Sequence, residues 1–393
     1  MRLSIASWLL VLSGMLLTAC QTNGQSGSNE SAERDKQSVR NNDITDTHEV
    51  NQEQDDKGEE LAMPLREVSP DEWEVEVLAE NLDIPWSLNV HEDVIFMTDR
   101  EGHIIEIEDG ETTQIIELQT STPVAHRGEG GLLGFVLAED FFDTGKAYAY
   151  YTYQTDEGQL ENRIVRVEQH QNNGWSETEI LLDNIPGAVI HNGGRLAIGP
   201  DGMLYAAIGD ADLPDVAQDE SNLAGTILRM TPDGDIPDDN PIEDSYVYSY
   251  GHRNPQGLAW QNNGEMYSSE HGAIGHDEIN IIEPGHNYGW PVIEGDETEE
   301  GMEDPLIHSG EDTWAPSGVT FWDDQLLVTG LRGEALYLFD AEGEEMIEIF
   351  SGEGRLRDVT YDEGALYVIT NNRDGRGQPK ENDDRLLKLT LSQ

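Results

Sequence analysis

Only one cysteine, Cys20, occurs in the chain, so neither an intrachain disulfide framework nor a cysteine-based zinc site can form. Basic residues are also scarce: Lys and Arg number 22 against 80 Asp and Glu, a formal charge of −58. Nucleic-acid binding rests on basic contacts to phosphate, so that class of partner is excluded. Long apolar runs are confined to the N-terminus, which excludes a polytopic membrane protein. A hydrophobic content of 36% with 40 glycines speaks against a helical bundle. What remains is 393 residues, enough for one large domain or two to three ordinary ones. The acidic excess reads either as a surface kept soluble in a salty or alkaline exterior, or as a face for a cationic partner. Against that background, any place where several arginines converge needs a reason.

The first residues read as a targeting segment. Met1-Arg2 precedes an apolar stretch running from Ile5 to Leu17, which ends in Leu17-Thr18-Ala19-Cys20. A charged start, a short apolar core and small residues before a cut describe a secretory signal, and the run is too short to span comfortably. Leu-Thr-Ala-Cys resembles a bacterial lipobox, in which the cysteine is lipidated and becomes residue one. A diacylated Cys20 anchors stably, because it carries more than one chain. Residues 1–19 are therefore expected to be a lipoprotein signal peptide. Residues 20–70 are expected to be a lipidated tether, too polar to offset chain entropy and so disordered. The globular domain is expected over 71–393, outside the cytoplasm on the outer face of the cell membrane.

From residue 90 onward one pattern recurs: a turn pair followed by a short apolar strand. The copies begin at Glu92, Thr144, Asp201, Asn263, Asp323 and Glu363. Their spacing of roughly 40–60 residues is that of propeller blades rather than solenoid turns. Six copies predict an all-β, six-bladed β-propeller of four-stranded blades, with a pair of β-sandwiches as the alternative. Closure requires one blade built from both chain ends. Trp73 to Leu78 and Arg385 to Leu391 alternate as strands and fit that role.

Polar clusters fall beside these strands. His191-Asn192-Gly193-Gly194 is followed by Asp210, and the segment between reads as strand, Pro-Asp-Gly turn, strand. Such a hairpin returns Asp210 to His191, and a carboxylate on one imidazole nitrogen leaves the other as a base. Gly251-His252-Arg253-Asn254-Pro255 is an unusual turn whose arginine can fork onto a carboxylate. Glu270-His271-Gly272-Ala273 through Asp277-Glu278, and on to Tyr288, offers carboxylates in Gly-rich backbone, a composition that suits calcium. Arg355 and Arg357 alternate onto one face of a strand, and Arg332 follows another. Four guanidiniums at equivalent zones of the blades predict a small polyanionic ligand.

Taken in order, these clusters resemble the soluble quinoprotein aldose sugar dehydrogenases, the glucose/sorbosone dehydrogenase family. The matching pieces are Glu129-Gly130-Gly131-Leu132-Leu133-Gly134, His191 through Gly202, Gly251 through Gly257, Asp277-Glu278-Ile279-Asn280, Asn287-Tyr288-Gly289-Trp290-Pro291, Trp314-Ala315-Pro316-Ser317 and Arg355-Leu356-Arg357-Asp358. They cover residues 80–390. The resemblance implies a propeller that binds pyrroloquinoline quinone (PQQ) and calcium and oxidises aldoses at the anomeric carbon. It implies that His191 is the general base and that Asp210 orients it. Arg253 and Asn254 are implied beside the quinone, and Arg332, Arg355 and Arg357 on its carboxylates. Gly272 and Ala273 are implied as carbonyl ligands of one calcium, and Glu278 with the Tyr288 carbonyl as ligands of a second. Two positions depart from the family pattern. Ala273 replaces a common proline. Glu129 stands at a glutamine position near the cofactor, where a carboxylate repels the anion unless it is protonated or paired, Arg127 being the expected partner.

The expected partners are an aldose and an external electron acceptor, with membrane contact through the lipid alone. Two other functions fit a calcium propeller. A lactonase needs no arginine clamp, and a non-catalytic sugar-binding propeller needs neither His191 nor Asp210.

Overall fold

Among the described residues, the chain forms six antiparallel sheets of four strands each. The computed structural model describes residues 64–108, 111–170 and 174–391, the side chains of 111–113 excepted. The signal segment, Cys20 and nearly all of the tether lie outside them. The first blade holds Pro85–His91, Val94–Asp99, His103–Glu108 and Glu111–Glu117. Four more follow over 132–186, 196–250, 255–308 and 316–351. The sixth joins Leu356–Asp362, Ala365–Thr370 and Leu386–Leu391 to Trp73–Ala79 from the other chain end, with Val75 opposite Leu389. Closure by both ends is thus as expected. The six repeat copies turn out to mark the second strand of each blade. That strand is flanked on both sides within its sheet, so its continuous apolar run is buried on both faces.

The first strand of each blade lies innermost, and neighbouring first strands pack on one another around the axis. Hydrophobic clusters fill the wedges between blades. One gathers Trp322, Leu327 and Leu336 from the fifth blade against Leu356, Val359 and Leu387 from the sixth. Leu65 and Val68 are buried in this same cluster. The packed domain therefore begins before the expected boundary at residue 71. A short 3-10 turn over Leu65–Glu67 puts Leu65 inside, which contributes roughly 1.5–3 kcal/mol by burial. Among the described residues, no helix is long and apolar enough to cross a membrane.

Candidate active site

At one end of the axis a cavity of about 750 Å³ opens between the blades. His191, Glu129, Arg253, Asn254, Arg332 and the Arg355–Arg357 pair all line it, as do Gly272 and Ala273. Six arginines face it against four carboxylates, a local positive excess in a chain of charge −58.

His191 is held in a strained backbone. Its φ of 55° is left-handed, an uncommon choice for a residue with a Cβ. Its N–H donates to Glu129 Oε2 at 2.9 Å and its carbonyl accepts from Ala211 at 3.1 Å. A side chain at Gly209 would lie 2.0 Å from that carbonyl oxygen, so glycine is required there. The strands Leu196–Ile198 and Leu204–Ile208 pair as the expected hairpin. They return Asp210, whose Oδ1 accepts from His191 Nδ1 at 2.8 Å. Asp210 is only 1% exposed, and its Oδ2 takes the Trp290 indole N–H at 2.9 Å. Nδ1 is thereby fixed as the donor, which leaves Nε2 as the basic nitrogen.

The guanidiniums divide into two kinds. Arg355 is spent within the protein: it pairs with Asp374 at 2.8 Å and donates to the carbonyls of Leu331 and Asn371. Of the four guanidiniums from which a polyanionic ligand was expected, Arg355 thus already has a carboxylate partner inside the protein. Arg357 meets only neutral oxygens, those of Gln256, Asn371 and Ser317, and its buried Nε has no partner. Burial, only partly offset by Asp374, pulls its affinity for the proton down to about 9. A buried cation bonded to no carboxylate is a place prepared for an anion. Arg253 donates to the His271 carbonyl at 3.0 Å, lies over the Trp290 ring, and also has a buried Nε without a partner. Asn254 accepts the Gly193 N–H at 3.0 Å. Arg332 is exposed at the cavity wall.

Glu129 differs from expectation. Arg127 is not its partner; Arg376 is, at 2.6 Å. Burial works to raise the Glu129 carboxyl, but Arg376 and the His191 N–H outweigh it and hold it down to about 2. The carboxylate is therefore ionised and compensated, not protonated. A group so depressed stabilises the fold above its ordinary range near 4.5 and loses that contribution as pH falls toward 2. Thermal midpoints of wild type and Glu129→Gln should therefore differ by a constant amount from pH 5 to 8. The gap should close as pH falls from 4.5 toward 2.5. A gap independent of pH throughout would remove the ion pair from the account.

The calcium candidates occupy two places. Gly272 and Ala273 sit in a tight loop, and a Cβ on Gly272 would lie 2.1 Å from the Gly275 carbonyl oxygen. Asp277 pins this loop by accepting from Gly272, Thr313, Trp314 and Ala315. Among the described residues, neither the Gly272 nor the Ala273 carbonyl accepts a hydrogen bond. Glu278 and Tyr288 line a small adjoining cavity that shares Arg253, His271 and Gly272 with the large one. Burial and the neighbouring Glu270 push the Glu278 carboxyl up. The buried Asn280 Oδ1 beside it has no partner. Both places present oxygens that a hard cation would satisfy. Among the described residues, no three His, Cys, Asp or Glu side chains gather to hold a metal.

Sequence reasoning missed Arg376, Asp374, Trp290 and His271. His271 is half-buried at the cavity wall, its affinity for the proton pushed down to about 4 by burial, with a buried, unpartnered Nε2. It stood within the Glu270–Glu278 cluster, but nothing in its spacing distinguished it.

A six-bladed propeller with a buried, cationic axial cavity and a carboxylate-held histidine defines a ligand-binding enzyme of the propeller class. The family model for Glucose / Sorbosone dehydrogenase matches residues 82–387, and the chain belongs to that family. Aldose sugar dehydrogenase YliI of Escherichia coli is 32% identical over 77% of this chain and 91% of its own length. Quinoprotein glucose dehydrogenase B of Acinetobacter calcoaceticus is 34% identical over 57% of this chain and 54% of its own. Among solved structures, the PQQ-bound aldose sugar dehydrogenase of Streptomyces coelicolor is 38% identical. It covers 82% of this chain and all of its own, with a TM-score of 0.75.

Proposed function

We propose that this protein is a PQQ-dependent dehydrogenase that oxidises aldoses at the anomeric carbon to lactones. The observation that carries this reading is the cationic cavity in which Arg357 is buried with no carboxylate bonded to it, next to the His191–Asp210 pair. PQQ is a tricarboxylate and, when bound, supplies the quinone that accepts hydride. The orphaned guanidinium nitrogens of Arg253 and Arg357 fit such an anion, and Arg332, Arg355 and Asn254 line the same wall.

His191 takes the proton of the anomeric hydroxyl on Nε2. Asp210 keeps the imidazole oriented and stabilises the imidazolium that forms. Trp290 holds Asp210 through its second oxygen, so the base is fixed from behind by a buried carboxylate that is itself held in place. Gly272 and Ala273 would offer carbonyls to a calcium, which would supply Lewis-acid polarisation beside the cofactor. Glu278 and the Tyr288 carbonyl would hold a structural calcium. Electrons leave to an external acceptor. Cys20, lipidated, would tether the domain to the outer face of the membrane. Adding PQQ and calcium to apo-protein should switch on dye-linked oxidation of aldoses, saturating with PQQ. Protein that binds PQQ yet oxidises no aldose would refute the reading.

A further inference from the structure

We propose that an aromatic-walled groove between the third and fourth blades, at the end of the propeller away from the axial cavity, binds a small quaternary ammonium cation of the choline type. The groove encloses about 460 Å³, within the ~300–1,000 Å³ of small-molecule sites. It shares no lining residue with the axial cavity. The strand Pro255–Trp260 sets the two at opposite ends: Gln256 near its start lines the cavity, while Trp260 at its end lines the groove. The turns at Asp201 and at Asn263-Gly264, which lead into the second strands of the two blades, frame the opening.

Three rings form the walls: Tyr205 and Tyr248 from the third blade and Trp260 from the fourth. The Tyr205 centroid lies 5.2 Å from that of Tyr248 at 85° and 5.0 Å from that of Trp260 at 63°. Rings set so steeply make a corner rather than a flat stack, the arrangement that meets a rounded organic cation on more than one side. Tyr205 is held in place: its hydroxyl donates to Asp201 at 3.0 Å, and a Cβ on Gly199 would lie 2.6 Å from its ring. Asp201 also accepts from Arg229 at 3.0 Å, so its charge is compensated within the protein. Glu265 and Glu283 differ. Glu265 accepts only the Tyr267 hydroxyl, at 2.6 Å, and the Glu283 carboxylate bonds to nothing among the described residues. No basic side chain lines the groove, so two carboxylates face it uncompensated. A strongly hydrated metal ion gains little from ring walls. A methylated ammonium is weakly hydrated, so it can use the rings and the carboxylates together.

The test titrates the full chain calorimetrically, in sodium chloride, with choline and with its uncharged carbon isostere, neohexyl alcohol. Wild type should bind one choline saturably, about tenfold or more tighter than the alcohol. Trp260→Leu should weaken choline binding about tenfold, the scale of one lost ring contact to a cation. Glu283→Gln should weaken it about two- to fivefold, and because residue 283 is exposed this variant keeps the packing intact should Trp260→Leu fail to fold. Absence of saturable choline binding, equal affinity for choline and the alcohol, or choline affinity unmoved by Glu283→Gln would each overturn the site. Phosphatidylcholine vesicles then distinguish the source of the cation. Vesicles that retain wild type but release Glu283→Gln assign it to a lipid headgroup, and vesicles that retain neither assign it to a free solute. Neither PQQ nor sugar enters the measurement, so its failure would leave the catalytic reading standing.

Discussion

His191→Asn is expected to lose about 10²–10⁴ in turnover while still binding PQQ, the range for removal of a general base. Asparagine is the informative replacement because position 191 is left-handed, with φ 55°, and Asn tolerates that region better than most residues. The variant thus removes the base without adding backbone strain. The backbone N–H that Glu129 accepts is retained, so the cavity wall should keep its shape. Asp210→Asn should also lower kcat, because the carboxylate that fixes the Nδ1 proton and stabilises the imidazolium is gone. Steady-state rates at saturating PQQ, with PQQ affinity measured separately, check both. His191→Asn turning over at the wild-type rate would show that the base lies elsewhere.

Arg357→Leu should weaken PQQ binding by about ten- to a hundredfold, from roughly 1.5–3 kcal/mol per charged hydrogen bond. In the apo-protein the same change should leave the thermal midpoint unchanged or higher. Arg357 is buried and touches no carboxylate, so an apolar side chain relieves the charge. Arg355→Leu should behave oppositely in the apo-protein. It strands Asp374, whose side chain is only 3% exposed, and a lone buried carboxylate is costly. The two neighbours therefore separate cofactor affinity from stability. Equilibrium titration with PQQ and apo-protein melting curves measure each. Unchanged PQQ affinity in Arg357→Leu would dismiss the anion site.

Much of this was legible in the sequence because it is local or periodic. Second strands announce themselves by a turn pair, Asx-Gly at Asp201 and Asn263, and a short apolar run. The His191–Asp210 contact followed from a hairpin, since the two residues flank a strand pair of fixed length. The closing blade followed from alternation at both chain ends. What escaped was set by closure in space. Glu129 and Arg376 are 247 positions apart, and no local pattern links them. Trp290 reaches Asp210 across 80 positions, with only the circular arrangement of blades to join them. Arg355 looked like a free cation because its counter-ion, Asp374, sits in a loop without periodicity. Leu65 lay in a stretch too polar to read as core, although two apolar side chains suffice to dock it.

The most direct test is oxidation of glucose carrying deuterium at the anomeric carbon. Turnover should require PQQ, yield the lactone, and slow several-fold with the label, because the bond to that hydrogen breaks in the step His191 assists. Lactone hydrolysis without PQQ, or sugar oxidation indifferent to both cofactor and label, would contradict the assignment.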